Sequence, residues 1–347
     1  MQGKDNLIQI ELSLIMESSQ VFKALRVSEA DGKYIRRIEE RQLSDLPEGD
    51  VFVQVKYSSL NYKDALSCIG NKGVTRSYPH TPGIDASGIV VESSNPRFKV
   101  DDEVIVTSYD LGMNTDGGFG EYIRVPADWV VRKPQNLSLK QAMIYGTAGF
   151  TAGLSVERLL SAGQTPEMGP VVVTGALGGV GAVAVCILNK LGFEVIAATS
   201  DLKDGEETLK KLGAASRIDR TETDDQSGRP ILRPKWAGAI DVVGGNVLST
   251  LIKACQPMGN VTCCGNIGSG DLDGTVYPYI LRGISLIGID SQNCPMELRQ
   301  KVWDKLAEDW HCEVLDEVVI ESKLEDLDVY IDKMINKKSR GRVIVKL

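Results

Sequence analysis

The stretch Pro170-Val-Val-Val-Thr-Gly-Ala-Leu-Gly-Gly-Val-Gly181 constrains the fold more than any other part of this chain. Its apolar run reads as a strand of a parallel sheet covered on both faces. After the glycines an apolar helix is expected from about Val180 to Leu191, and then a second strand, Glu194-Val-Ile-Ala-Ala-Thr199. Set on the dinucleotide fingerprint, the turn reads A-x-G-G-x-G, with Ala176 at the first glycine position. Gly178 and Gly179 let backbone N–H groups approach a pyrophosphate, and Gly181 lets the helix pack closely on the strand. A glycine motif alone says little. Here strand, turn, helix and second strand arrive in register, as the motif requires.

Cofactor choice turns on the end of the second strand, where an NAD-binding chain places a carboxylate for the ribose hydroxyls. This chain reads Thr199-Ser200-Asp201-Leu-Lys203. Thr199 is neutral, Ser200 can donate to a 2′-phosphate, and Lys203 or Arg220 can supply charge. Asp201, two residues on, opposes that phosphate. The expectation is NADP(H).

The remaining text divides in two styles. From Val21 to about Lys133 short alternating segments such as Val51-Phe-Val-Gln-Val-Lys-Tyr57 sit between glycine-rich turns, the pattern of a small β barrel or sandwich. A helix is expected over Ser138–Leu160, with Ser138 as N-cap. From Pro170 to Asp290 strands and helices alternate at the spacing of βαβ units. Two helices, Met296–Asp309 and Leu324–Asn336, and a last strand, Arg342–Leu347, complete the chain, and Thr221–Pro234 reads as a polar surface loop.

A length of 347 residues suits two domains. The net charge of −8 disfavours nucleic acid as a partner, since neutralising phosphates needs a basic surface. No run of about 18 uncharged apolar residues offers a membrane span. Residues 1–20 lack a basic start and a cleavage site; they read as an unstructured leader, with Met16 an alternative start. The seven cysteines form no C-x-x-C pair and read as small buried hydrophobes of a cytoplasmic protein. His80 and His311 lie far apart without ligand spacing, so no metal is expected.

A series of motifs carries a family resemblance. They include Asn61-Tyr62-Lys63-Asp64, Pro82-Gly83-Ile84-Asp85, Tyr145-Gly-Thr-Ala-Gly-Phe-Thr-Ala152 and Thr174–Gly181. Trp236-Ala-Gly-Ala-Ile-Asp241, Tyr279-Ile-Leu-Arg-Gly283, Gly288-Ile-Asp-Ser291 and Gly341-Arg-Val-Ile-Val-Lys-Leu347 extend the series. From about Phe22 to Leu347 the chain resembles the YhdH/YhfP-type quinone oxidoreductases. These include NADPH-dependent acryloyl-CoA reductases, a zinc-free branch of the medium-chain dehydrogenase/reductase superfamily. The resemblance implies an α/β chain with a GroES-like β-rich catalytic domain (21–140 and 290–347) and a doubly wound Rossmann domain (141–289). It also implies an active site in the cleft and a homodimer. Zinc-dependent relatives have G-H-E where this chain has Gly83-Ile84-Asp85. The implied cofactor contacts are Tyr62, Leu177, Gly178, Gly179, Val180, Thr199, Ser200, Asp201, Arg220, Asn266, Ile280, Ser291 and Lys337.

Without zinc, hydride transfer needs positioning and donors aimed at the oxygen that gains charge. The resemblance brings Asn61, Tyr62 and Asp85 to the cleft. Tyr62 can donate to an enolate or protonate the adjacent carbon; Asp85 can orient Tyr62 or act as an acid, or simply cap strand-end N–H groups. Asn61 is equally readable as a turn-former, and Lys63 and Asp64 as a surface pair. Arg76 and Arg282 are candidates for an acyl-CoA phosphate or carbonyl. The expected activity is NADPH-dependent reduction of an activated C=C bond in an acyl-CoA thioester or enone. The alternatives are quinone reduction and a non-catalytic NADPH sensor.

Overall fold

A computed structural model describes residues 21–203 and 205–347; the leader expected over 1–20 lies outside them. The chain opens with an antiparallel hairpin, β1 (Val21–Ala30) and β2 (Lys33–Gln42). β3 (Val51–Ser59) leads into a short helix, α1 (Tyr62–Cys68). β4 (Asp85–Ser93), β5 (Glu103–Thr107), β6 (Tyr122–Val125) and β7 (Val130–Arg132) follow. Their apolar faces close over Val53, Val55, Val104, Val106 and Ile123, which the alternation in the sequence anticipates.

α2 (Leu139–Ser161) starts where the sequence indicates: the Ser138 hydroxyl accepts from the Gln141 N–H at 3.1 Å. It breaks once, at Gly146 (φ +49°), because the backbone there adopts a conformation that an L side chain resists. β8 (Val171–Thr174), fully buried, runs into α3 (Gly179–Lys190). β9 (Val195–Thr199), α4 (Glu206–Lys211), β10 (Ser216–Asp219), β11 (Trp236–Asp241), α5 (Gly245–Lys253), β12 (Cys255–Cys263), α6 (Tyr277–Arg282) and β13 (Ser285–Gly288) complete the second unit. Its six strands are all parallel, in the order β10-β9-β8-β11-β12-β13, a doubly wound sheet.

The chain then returns to the first unit through α7 (Met296–Ala307), α8 (Leu315–Val318), β14 (Ile320–Lys323), α9 (Leu327–Ile335) and β15 (Val343–Lys346). β15 pairs with β3, and the sheet there runs β14-β15-β3-β4-β5-β7 with β6 also on β3. One apolar core joins the two units, with Tyr145 and Phe150 of α2, Val183 of α3, Trp303 of α7 and Ile344 of β15 in mutual packing.

The cysteine expectation needs a correction. Cys186 of α3 and Cys312, 126 residues apart in sequence, form a disulfide with Cα atoms 6.3 Å apart. Folding, not local spacing, brings them together, so no C-x-x-C signature exists to find. Cys68, Cys255 and Cys294 are buried thiols as expected, and Cys263 and Cys264 are half-buried. Among the described residues no helix is long and apolar enough to cross a membrane.

Candidate active site

The parallel sheet reverses strand order between β8 and β11, and a crevice opens at their carboxyl ends. Asp241 fastens this point: it accepts from the Thr174 hydroxyl at 2.7 Å and from the Gly244 N–H at 2.7 Å. Burial pushes its carboxyl above the usual range. Above it lies a groove of about 880 Å³. Gly175, Leu177 and Gly178 form its floor, the segment Val243–Val247 one wall, and Thr199, Ser200, Asp201 and Arg220 one end.

Gly178 precedes the first turn of α3, so the free N–H groups of that helix face the groove. A Cβ on Gly181 would lie 2.3 Å from the Gly175 carbonyl oxygen, so the strand and helix can meet this closely only with glycine there. The turn fits a dinucleotide pyrophosphate.

The adenosine end departs from the sequence reading. Thr199 is buried and its hydroxyl accepts from the Asp201 N–H at 3.1 Å; it shapes the turn, while Ser200 is exposed. Lys203 does not line the groove. Instead Lys337, Lys338, Ser339 and Arg340 cross over it from the segment between α9 and β15, and Arg340 pairs with Asp201. The Gly341 N–H, donating to the Leu177 carbonyl at 3.1 Å, pins this strap to the pyrophosphate turn. Of these strap residues only Lys337 is expected from sequence; nothing local in Lys338-Ser-Arg340 announces a partner 140 residues upstream.

The groove lining stops short of the expected nicotinamide end: Tyr62, Asn266, Ile280 and Ser291 lie outside it, and Ile280 sits 69% exposed on α6. Asn266 borders the Gly244 turn. Ser291 stands beside Gln292, whose side-chain oxygen accepts from Lys63 Nζ at 2.7 Å, which brings Ser291 to the Tyr62 side. Lys63 and Asp64 do not form a surface pair. Asp64 is wholly buried: it accepts from the Asn61 N–H at 2.8 Å and the Ile84 N–H at 2.8 Å. Burial, with the nearby Asp85, pushes its carboxyl to about 7.

Asp85 is also wholly buried. It accepts from the Ser59 hydroxyl (2.6 Å), Asn61 Nδ2 (2.7 Å), the Thr147 hydroxyl (2.6 Å) and the Thr147 N–H (2.9 Å). The break at Gly146 makes the Thr147 N–H available, because the helical bond there is given up. Arg342 completes the cluster, with Nη2 3.7 Å from Asp85 Oδ2 and Nη1 3.1 Å from Asn61 Oδ1. Four further bonds hold the guanidinium: to Ser59 Oγ (2.6 Å) and to the carbonyls of Ile144 (3.0 Å), Met143 (3.2 Å) and Leu60 (3.3 Å). Its stem passes beside Gly179.

The expected Asp85 acid is therefore an anchored carboxylate, saturated with donors. Among the described residues no hydrogen bond joins it to Tyr62. Asn61 keeps its local role, capping α1 and donating to the Ser59 carbonyl at 3.2 Å, and is in addition a link in this cluster. Tyr62, the first residue of α1, is 37% exposed beside it. Arg342, overlooked in the sequence, had one signal: a lone cation opening an apolar final strand.

Arg282 is committed elsewhere, donating to the carbonyls of Lys253 (3.0 Å), Cys255 (2.8 Å) and Leu232, so it is no acyl-CoA ligand; Arg76 is exposed. His80 is buried against the Gly112 carbonyl, and His311 lies near Tyr145. Among the described residues no group of three His, Cys, Asp or Glu side chains could hold a metal ion.

Comparison with known proteins fits this geometry. The alcohol dehydrogenase GroES-like domain family matches residues 47–135, and the zinc-binding dehydrogenase family matches residues 179–308. YhfP of Bacillus subtilis, which bears the name quinone oxidoreductase, is 45% identical over 95% of this chain and 100% of its own. Its crystal structure with NAD bound superimposes with a TM-score of 0.92. The acrylyl-CoA reductase AcuI of Ruegeria pomeroyi is 41% identical over 94% of this chain and 99% of its own. The yhdH oxidoreductase of Salmonella enterica, solved with NADP, is 42% identical, covers 94% of this chain and 99% of its own, and has a TM-score of 0.91. With a GroES-like unit, a doubly wound unit and a dinucleotide turn between them, the chain belongs to the YhfP–AcuI family of oxidoreductases in the medium-chain dehydrogenase/reductase superfamily.

Proposed function

We propose that this chain uses NADPH to reduce an activated C=C bond of the acryloyl-CoA kind, without a metal ion. The observation that carries this reading is the joining of the dinucleotide turn to the Asn61–Asp85–Arg342 cluster at Gly179. The names and bound nucleotides of the relatives support it. NADPH, when bound, supplies the hydride. Leu177, Gly178, Gly179 and Val180 hold its pyrophosphate, and Ser200, Arg220, Lys337 and the strap its adenosine phosphate. Asn266 and Ser291 flank the nicotinamide end.

Tyr62 is the residue that acts on the substrate. Its hydroxyl donates to the thioester oxygen as negative charge builds there, and then delivers a proton to the α carbon. Asn61 and Asp85 are positioning residues: the buried cluster fixes the start of α1 and hence Tyr62. The donor set around Gly83-Ile84-Asp85 supports metal independence, because Asp85 is already saturated with hydrogen bonds and His80, five residues before it, is buried against the Gly112 carbonyl.

The domain limits follow the two large sheets: 21–140 with 290–347 as catalytic domain, 141–289 as Rossmann domain. The edge strand β13 adjoins an exposed apolar patch of Met258, Val276, Ile280 and Leu281, which supports a homodimer through this face. Five free thiols suit a cytoplasmic setting.

Quinone reduction is a second reading, favoured by the name of the Bacillus subtilis relative. Quinones accept hydride with little help toward oxygen, so Tyr62→Phe separates the two. In the presence of a chelator, the variant should lose acryloyl-CoA reduction by about a hundredfold to ten-thousandfold, on the scale of one general acid or oxyanion donor, and quinone turnover far less. Equal losses, or no acryloyl-CoA turnover by the unmodified protein, overturn the thioester reading.

A further inference from the structure

The strap that crosses the groove carries a contact that bears on cofactor choice. Asp201 stands two residues past the end of β9, on the groove lining beside Ser200. A carboxylate in this neighbourhood accepts hydrogen bonds from a ribose diol and repels a 2′-phosphate. In this chain Arg340, 139 positions away, pairs with that carboxylate, and it does so at the groove rim, where its own side chain stays 60% exposed. Arg220, Lys337 and Lys338 line the same end; the one other carboxylate lining it among the described residues, Asp224, is bonded to Asn246 Nδ2 at 2.6 Å.

We propose that the Asp201–Arg340 pair is the specificity element for the 2′-phosphate, Arg340 acting by masking a carboxylate that would otherwise select the unphosphorylated nucleotide. The proposal rests on the NADPH reading above and deepens it. With Arg340 in place the rim is cationic and Ser200 can donate to a phosphate. With Arg340 removed, Asp201 loses the cation paired with it at the groove rim. The same strand end then suits a ribose diol. The pairing also explains why a chain with an acid at this position need not be an NAD enzyme: the sign of the site is set by a residue from the other end of the sequence.

Calorimetric titration with 2′,5′-ADP and 5′-AMP reads this without turnover. The unmodified protein should prefer 2′,5′-ADP. Arg340→Gln should weaken 2′,5′-ADP binding about ten- to a hundredfold, the scale of one or more charge-assisted contacts, and leave 5′-AMP within about threefold. Retained 5′-AMP binding shows that the groove is intact. Asp201→Asn/Arg340→Gln should recover most of the loss, since neutralising the acid removes the need for the mask. Three results overturn the assignment: an equal loss of both nucleotides, no loss of preference in Arg340→Gln, or no recovery in the double variant. Equal binding of the two nucleotides by the unmodified protein overturns the NADPH reading itself, and the assignment with it.

Discussion

Gly146→Ala tests whether the buried cluster beneath Tyr62 is as tightly closed as its distances indicate. The new Cβ would stand 2.4 Å from Asp85 Oδ2, 2.5 Å from Arg342 Nη2 and 2.5 Å from Ser59 Oγ. None of these is the free end of a flexible side chain: each is held by the others through bonds of 2.6–2.7 Å. Two costs add. The left-handed backbone of Gly146 (φ +49°) costs an alanine about 1–2 kcal/mol. Parting the cluster by the better part of an ångström costs about 1.5–3 kcal/mol more, through overpacking or the loss of one hydrogen bond to a charged group.

Gly163→Ala separates these terms, since Gly163 has a positive φ (+84°) but nothing within 4 Å of a Cβ. Shifts of the urea midpoint should give about 1–2 kcal/mol for the control and about 2.5–5 kcal/mol for Gly146→Ala, a large share of a typical stability of about 5–15 kcal/mol. Turnover should fall in Gly146→Ala alone, while 2′,5′-ADP binding at the far end of the groove persists. Equal midpoint shifts in the two variants would refute the close-packed cluster.

Two further outcomes follow from buried groups. The Asp64 carboxyl titrates near 7 in the folded chain against about 3.9 unfolded, so the folded state holds the extra proton and stability falls as pH rises from about 4 to 7. The Tm of Asp64→Asn minus that of the unmodified protein should therefore climb over that window and level above it; a pH-independent difference contradicts the assignment. Thiol titration of denatured, unreduced protein should find five free cysteines rather than seven. Reduction should lower stability by about 2–4 kcal/mol, and seven thiols before reduction would remove the Cys186–Cys312 bond.

What was legible in the sequence depended on chain distance. The dinucleotide turn is local: strand, glycines and helix lie within about 20 residues, and each residue type has one physical job there. The α2 start at Ser138 and the doubly wound sheet were legible for the same reason, as periodicity and capping act over a few residues. The roles of Asp85 and Arg282 were not. A carboxylate at a strand end and an arginine near a glycine look alike whether they face a cleft or are saturated by carbonyls, and only the folded neighbours distinguish them. Thr199 shows a subtler limit: its identity was read as a cofactor signal, while its hydroxyl is occupied within its own turn.

The strap 337–342 draws these cases together. Arg340 reaches the adenosine end, Gly341 is tied to the pyrophosphate turn, and Arg342 anchors the cluster that fixes Asn61. Three consecutive residues thus touch the three parts of one extended groove. Gly341 bends the chain ahead of β15, with Arg340 on one side of the bend and Arg342 on the other. A side chain at 341 would add bulk there, where φ is +65° and the backbone is already committed to Leu177. The end of the dinucleotide groove and the Asn61–Asp85 cluster are therefore joined by one short piece of backbone, and that piece leads into the last strand of the GroES-like unit's sheet rather than into the parallel sheet whose groove it crosses.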